Sequence, residues 1–160
     1  NYELDIGLIE GECNEPDLDA IYWRSDTLIV FCHAKHRLAK KGVLTEADIK
    51  REPWILREAG SGTRQTFDWA MHDVLADIHV ALELQHTEAI KRAVEANLGL
   101  GCLSEITLED AFKRGNLVPL TVDKRSFKRH LYFVLHKQKY RSAGIDQWIE
   151  LCQNSPDWRL

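Results

Sequence analysis

Apolar stretches and helically spaced apolar positions take turns along this chain. Runs rich in Val, Ile, Leu, Phe and Tyr predict strands at residues 4 to 9, 19 to 24, 27 to 32, 54 to 57, 80 to 85, 99 to 103 and 131 to 136. Between them the 3.6-residue period takes over. Phe67, Ala70, Met71, Val74, Leu75 and Ile78 share one face of a helix starting near Ser61. Ile90, Ala93, Val94 and Leu98 repeat that spacing up to Gly99, placed as a C-terminal stop. Leu108, Ala111 and Phe112 follow, with Thr107 and Asp110 at capping-box spacing and Gly115 as terminator. Ile145, Trp148, Ile149 and Cys152 make a last helix, and Thr45 to Lys50 reads as a short capped helix before Pro53. Strands alternating with helices from end to end predict an α/β arrangement with a largely parallel sheet. Two polar stretches, His33 to Gly42 and Asp123 to Arg129, read as crossings between lobes.

Composition narrows the class. With 160 residues the chain has room for one ordinary domain or two small lobes, and a 44% hydrophobic, 29% charged balance excludes disorder as its main state. The net charge of −4 has the wrong sign for a surface wholly given to nucleic acid. Cys13, Cys32, Cys102 and Cys152 lie far apart without a C-x-x-C pair, against a disulfide framework or zinc site. No run approaches the ~18 apolar residues of a membrane span, and no basic start leads into an apolar stretch, so a cytoplasmic protein is expected. The chain enters an apolar strand within a few residues of Asn1, which points to a fragment of a longer protein.

The chemistry concentrates in Trp54-Ile55-Leu56-Arg57-Glu58-Ala59-Gly60-Ser61-Gly62-Thr63-Arg64, a strand running into a glycine turn and then a helix. Such a turn is an anion cradle. Gly60 and Gly62 let the backbone bend and approach a ligand, while the first helix amides have no intrahelical partner and sit at the positive end of the macrodipole. Ser61 and Thr63 add hydroxyls, and Arg64 adds a forked cationic donor. The blander reading of these residues is that Ser61 only caps the helix and the glycines only make the turn. The segment matches neither G-x-x-x-x-G-K-[ST] nor G-x-G-x-x-G, which disfavours ATP or a dinucleotide.

Leu56 to Arg64 resembles the hallmark turn of the effector-binding domain of LysR-type transcriptional regulators. Other segments match in the family's order: residues 4 to 11; His36-Arg37-Leu38-Ala39, with Arg37 where the family has proline; residues 87 to 94; and residues 97 to 104. The Arg-Glu-x-Gly-Ser-Gly-Thr-Arg turn together with Glu88 to Lys91 and Cys102 to Ser104 looks most like the branch concerned with sulfur and other small oxyanions. The resemblance implies two Rossmann-like lobes of periplasmic-binding-protein type joined by two crossing strands. Residues 27–126 would form the second lobe, and 1–26 plus 127–160 a first lobe that is incomplete here. It implies a non-enzymatic domain binding a small anionic effector between lobes, without cofactor or metal. DNA would be bound only through an absent N-terminal winged helix-turn-helix, and the protein would associate as a dimer or tetramer through the helix from Ser61 and the strand from Val80. Carried over residue by residue, the effector contacts are Ser61, Gly62, Thr63, Arg64, His86 and Thr87, with Ser104 and Glu88 weaker; Glu10 would repel an anion unless paired with Arg.

Two alternatives stay open at this level. A periplasmic-type small-solute binding protein shares the lobes, and a dehydratase-like or deaminase-like cleft enzyme shares the fold but needs an acid–base pair that the turn does not offer. Cys32, His33 and His36 lack a third ligand at useful spacing, Cys102 reads as a small buried hydrophobe, and Lys124, Arg125, Lys128 and Arg129 read as a solvated run. Trp54 and Trp148 fit core positions.

Overall fold

A computed structural model describes residues 4–11 and 13–155; the ends of the expected first lobe, at 1–3 and 156–160, lie outside the described residues. The chain divides into two compact units, Asn1–Asp26 with Arg129–Leu160 and Thr27–Lys128.

The second unit carries most of the chain. Its strands are the later part of β2 (Leu18–His33), then β3 (Val43–Leu44), β4 (Pro53–Arg57), β5 (His79–Leu84), β6 (Leu100–Ser104) and β7 (Leu117–Val122). Pairing gives the order β5-β4-β6-β2-β7-β3, with β4 parallel to both β5 and β6, and β2 antiparallel to β6 and β7. Both faces are covered. Leu28, Val30, Cys32, Trp54, Leu56, Leu100 and Cys102 point into one core with Ile49 of α1 (Glu46–Arg51) and Phe67 of α2 (Gly62–Ala70). Phe31, Ile55 and Leu103, one residue out of phase, meet Ile90 and Val94 of α3 (Thr87–Glu95) and Leu108 and Ala111 of α4 (Glu105–Arg114) on the other. Trp54 is fully buried, packs against Phe67 with the ring centroids 5.0 Å apart and the planes tilted by 58°, and donates its indole N–H to the Ile49 carbonyl at 2.9 Å. A large ring is thereby buried without an orphaned donor.

The first unit pairs β1 (Gly7–Glu10) antiparallel with β8 (Lys128–His136), with β8 beside β2. Phe133, Leu135 and Ile149 of α5 (Ala143–Asn154) form its core, and Trp23 donates to the Cys152 carbonyl at 3.0 Å.

Several elements depart from the sequence expectation. The two strands at 19–24 and 27–32 are one continuous β2, and the strand at 4–9 is ordered as β only over Gly7–Glu10. Asp26, which falls between the two expected strands, is buried in β2, where Arg129 donates to it at 2.7 Å and to Glu10 at 2.5 Å. Arg129 is therefore no part of a solvated run, nor is Arg125, which donates to the Ala70 carbonyl at 2.9 Å and forks onto Asp73. That contact occupies the carbonyl at the end of α2. The helix stops there, and the remaining apolar positions reach the core through a 3₁₀ turn at Leu75–Asp77.

Asn97, at φ 59°, ends α3 with bonds from Asn97 and Leu98 back to Val94 and Ala93. Gly99 serves a close approach instead, since a Cβ there would lie 2.4 Å from the Pro53 carbonyl oxygen. α4 starts one turn earlier than Thr107, with Ser104 at its N-cap, and ends at Gly115 as expected. His33 to Gly42 folds as successive turns inside the second unit rather than as a crossing. Trp148 is half-exposed, touching Phe133 by its edge.

Thr45 and Asp48 close a reciprocal capping box on α1. The Lys41 ammonium, then the Thr45 hydroxyl, hold the Asp48 carboxyl well below the usual carboxylate range despite burial. A lowered folded-state pKa adds stability above the ordinary carboxylate value, and this is lost as pH falls through the folded value. Asp48→Asn is expected to destabilise the protein by about 0.5–2 kcal/mol at pH 7, as for loss of a cap. It should also flatten the fall in stability below pH ~4. Urea titrations of both proteins across acid pH measure this.

Candidate functional site

Parallel pairing of β4 with β5 and β6 brings the carboxyl ends of three strands to one edge of the second unit. Each is followed by a helix, so the starts of α2, α3 and α4 gather there. The connection from β4 leads to β5 on one side and that from its neighbour β6 leads to β7 on the other, the arrangement in which open α/β sheets hold ligands. Ser61, Gly62, Thr63, Arg64, His86, Thr87 and Ser104 all lie along this edge, at one helix start or another.

The three starts are not equivalent. Gly60, at φ +93°, turns the chain out of β4, and Ser61 takes the N-cap of α2. The Ser61 hydroxyl accepts from the Arg64 amide at 3.0 Å, so the capping reading holds for this hydroxyl. The Gly62 amide has no hydrogen-bond partner among the described residues. Thr63 is buried. Neither His86 nor Ser104 caps its helix with its side chain, which leaves the first amides of α3 and α4 to an outside acceptor. His86 is exposed, and Thr87 and Ser104 are half-buried.

Arg64 is held by protein partners on three elements. Its guanidinium donates to Asp68 at 2.9 Å, to Glu83 at 3.1 Å and to the Arg57 carbonyl at 3.0 Å, with the side chain only 15% exposed. These partners lie on α2, β5 and β4, and two of them are carboxylates that neutralise its charge.

The sequence reading missed two other features of this edge. Arg57 forks onto Glu58 at 2.7 and 2.9 Å; the Arg57 guanidinium, and then the backbone amide of Glu58 itself, hold the Glu58 carboxyl below its ordinary value. Lys91, only 11% exposed, pairs with Glu88 and donates to the Thr107 carbonyl at 3.0 Å, tying α3 to the first turn of α4. The Glu88/Lys91 spacing of three was the signal for one half of that contact; Thr107 could be found only in three dimensions.

Other residues that looked chemical have structural partners. His33 Nδ1 accepts from the Lys35 amide at 3.0 Å, and His36 Nδ1 accepts from the Leu38 amide at 3.2 Å, which directs the His36 Nε2 toward Glu52 at 3.3 Å. Burial, reinforced by Glu52, pushes the Cys32 thiol up to about 11. Glu10 is paired with Arg129, which meets the condition set for it above. No group of three His, Cys, Asp or Glu among the described residues is arranged to hold a metal ion. A groove of about 720 Å³, lined by Val43, Trp69, His72 and Lys124 among others, shares no residue with the seven.

Known proteins resemble this arrangement throughout. Residues 1–156 match the family model described as LysR substrate binding domain. The chain is 36% identical over 152 residues to the uncharacterized HTH-type transcriptional regulator YeiE of Escherichia coli K12, covering 95% of this chain and 52% of that protein. It is 29% identical over 132 residues to the HTH-type transcriptional regulator CysL of Bacillus subtilis, covering 82% and 44%. Among solved structures, the Synechocystis CcmR regulatory domain in complex with 2-PG superposes with a TM-score of 0.83 at 30% identity, covering 94% of this chain and 73% of that one. The chain belongs to the LysR substrate-binding-domain family. It is an effector-binding domain of the kind carried by LysR-type transcriptional regulators, a regulatory module rather than an enzyme, with the two-lobe architecture of periplasmic binding proteins. This sets aside the solute-binding and cleft-enzyme alternatives. The chain spans about half the length of the curated relatives it matches.

Replacing Ser61 with Ala removes the cap of α2 and is expected to lower stability by about 0.5–2 kcal/mol, whereas Gly there costs only a few tenths. Chemical denaturation of the two variants distinguishes a capping hydroxyl from a silent one.

Proposed function

We propose that a small anion is the effector of this domain and docks at the edge formed by Ser61, Gly62, Thr63, His86, Thr87 and Ser104. The supporting observation is the gathering of three helix starts, two without a side-chain cap, at the carboxyl ends of β4, β5 and β6. Main-chain amides and hydroxyls suit a compact oxyanion that accepts several hydrogen bonds at once. The motif order of 56–64, 88–91 and 102–104 favours the sulfur and small-oxyanion branch, and the likeness to CysL is in keeping with it. In the whole protein, binding would shift the population of regulator conformations and so control DNA binding by a domain outside this chain. A LysR-type regulator would work inside the cell, where its operator lies; among the described residues no helix is long and apolar enough to cross a membrane. Pairing of two copies through α2 and β5 would match a two-half-site operator.

Thermal-shift and calorimetric titration of the full-length protein with sulfate, sulfite, phosphate and small carboxylates tests this reading, since a specific ligand raises apparent stability by mass action. Thr63→Ala or Thr87→Ala is expected to weaken binding of the responding anion by about 0.5–3 kcal/mol. Unchanged affinity in both variants removes this edge from the effector site.

Residues 1–160 alone are expected to show no salt-steep DNA binding, because a chain of net charge −4 lacks the basic surface that releases counterions. Fluorescence anisotropy with duplex DNA at two salt concentrations checks the point, and tight binding that falls steeply with salt overturns it.

A further inference from the structure

Arg64 is held at the proposed site by partners on three elements, and its contacts describe a brace. Its amide is taken by the Ser61 hydroxyl at 3.0 Å. Its guanidinium reaches the carbonyl of Arg57, the last residue of β4, at 3.0 Å. Residues 57 and 64 are thus stapled together, closing the loop in which Gly60 adopts its positive φ. Asp68, one turn further along α2, and Glu83 on β5 orient the guanidinium from two more directions, at 2.9 and 3.1 Å. One cation facing two carboxylates leaves no surplus positive charge for a ligand. Arg57 on the other side of the turn is likewise matched by Glu58 at 2.7 Å.

We propose that Arg64 is a positioning residue of the anion turn and not a ligand to the effector: it fixes the Gly60–Thr63 backbone, and recognition is left to main-chain amides and hydroxyls. This rests on the effector reading above and deepens it. Positive potential at the edge then comes from oriented peptide dipoles, whose geometry must be rigid to act, rather than from a mobile side-chain charge. A lysine cannot replace the brace, since an ammonium is a point donor that does not fork onto three partners on three elements.

The test has one arm that needs no effector. Amide hydrogen exchange is followed in the full-length protein, in Arg64→Met and in the double variant Asp68→Asn/Glu83→Gln, which keeps the arginine but removes the carboxylates that aim it. Exchange at the hydrogen-bonded amides of Ser61, Arg64 and Gln65 is expected to rise about tenfold in both variants, as for a locally loosened segment, with exchange in β4 and β6 unchanged. Unchanged exchange at these three amides in the double variant overturns the proposal, and if Arg64→Met does not fold, the double variant carries this arm by itself.

The second arm is calorimetric titration with sulfate at two ionic strengths. Arg64→Met and Arg64→Lys are expected to weaken sulfate binding about tenfold while keeping the wild-type salt dependence, because no ligand-facing charge has been lost. A flatter salt dependence in Arg64→Met makes Arg64 a direct ligand and overturns the proposal. If the wild-type protein binds neither sulfate nor the other anions of the titration series, the effector reading fails while the exchange arm still decides whether Arg64 braces the turn.

Discussion

The backbone of a parallel sheet constrains everything built on its edge. Once β4 pairs in parallel with both β5 and β6, three strands must end together, and the chain must leave each of them at the same end of the sheet. Helices fill those connections, and every helix starts with amides that its own hydrogen bonds cannot reach. The electrostatic character of the edge is therefore a by-product of topology. Side chains decide only which starts are closed internally, as Ser61 does for α2, and which stay open, as at His86 and Ser104.

Packing holds that topology with little tolerance. Gly101 lies under the Phe31 ring, where a Cβ would come within 2.5 Å of the ring, and Gly99 lies against the Pro53 carbonyl. These two glycines bracket the start of β6 and let it approach β2 on one side and β4 on the other. On the far face Trp54 joins β4 to α1 and α2 at once through a ring contact and an indole hydrogen bond. The strand that carries the turn is thus anchored before the turn begins.

Much of this was legible in the sequence, and the failures have physical causes. Strands β4, β5 and β6 and the helices after them announce themselves because both faces of the sheet are buried and the helices are amphipathic. β7 was not read as a strand because Pro119 interrupts Leu117 to Val122; it is exposed there, and its neighbours Val118 and Leu120 still pair with β2. β2 was read as two strands because Asp26 is a charge in an apolar run, and its partner Arg129 is 103 residues away. The extent of α2 was overestimated because apolar spacing continues past Ala70, whereas the contact that stops it comes from Arg125. At the candidate site the glycine turn was visible in the residues themselves. The full set of partners around Arg64 was not, since Asp68 lies at readable spacing but Glu83 is brought in only by the pairing of β5 with β4.

The fully buried Cys32 carries a consequence of another kind. A thiol that burial and a neighbouring carboxylate keep protonated near neutral pH presents almost no thiolate, and the thiolate is the form that attacks electrophiles and reacts with peroxides. Covalent probes added to the folded protein will therefore report first on the partly accessible Cys13 and Cys152. Labelling at position 32 becomes a clock for opening of the β2 core.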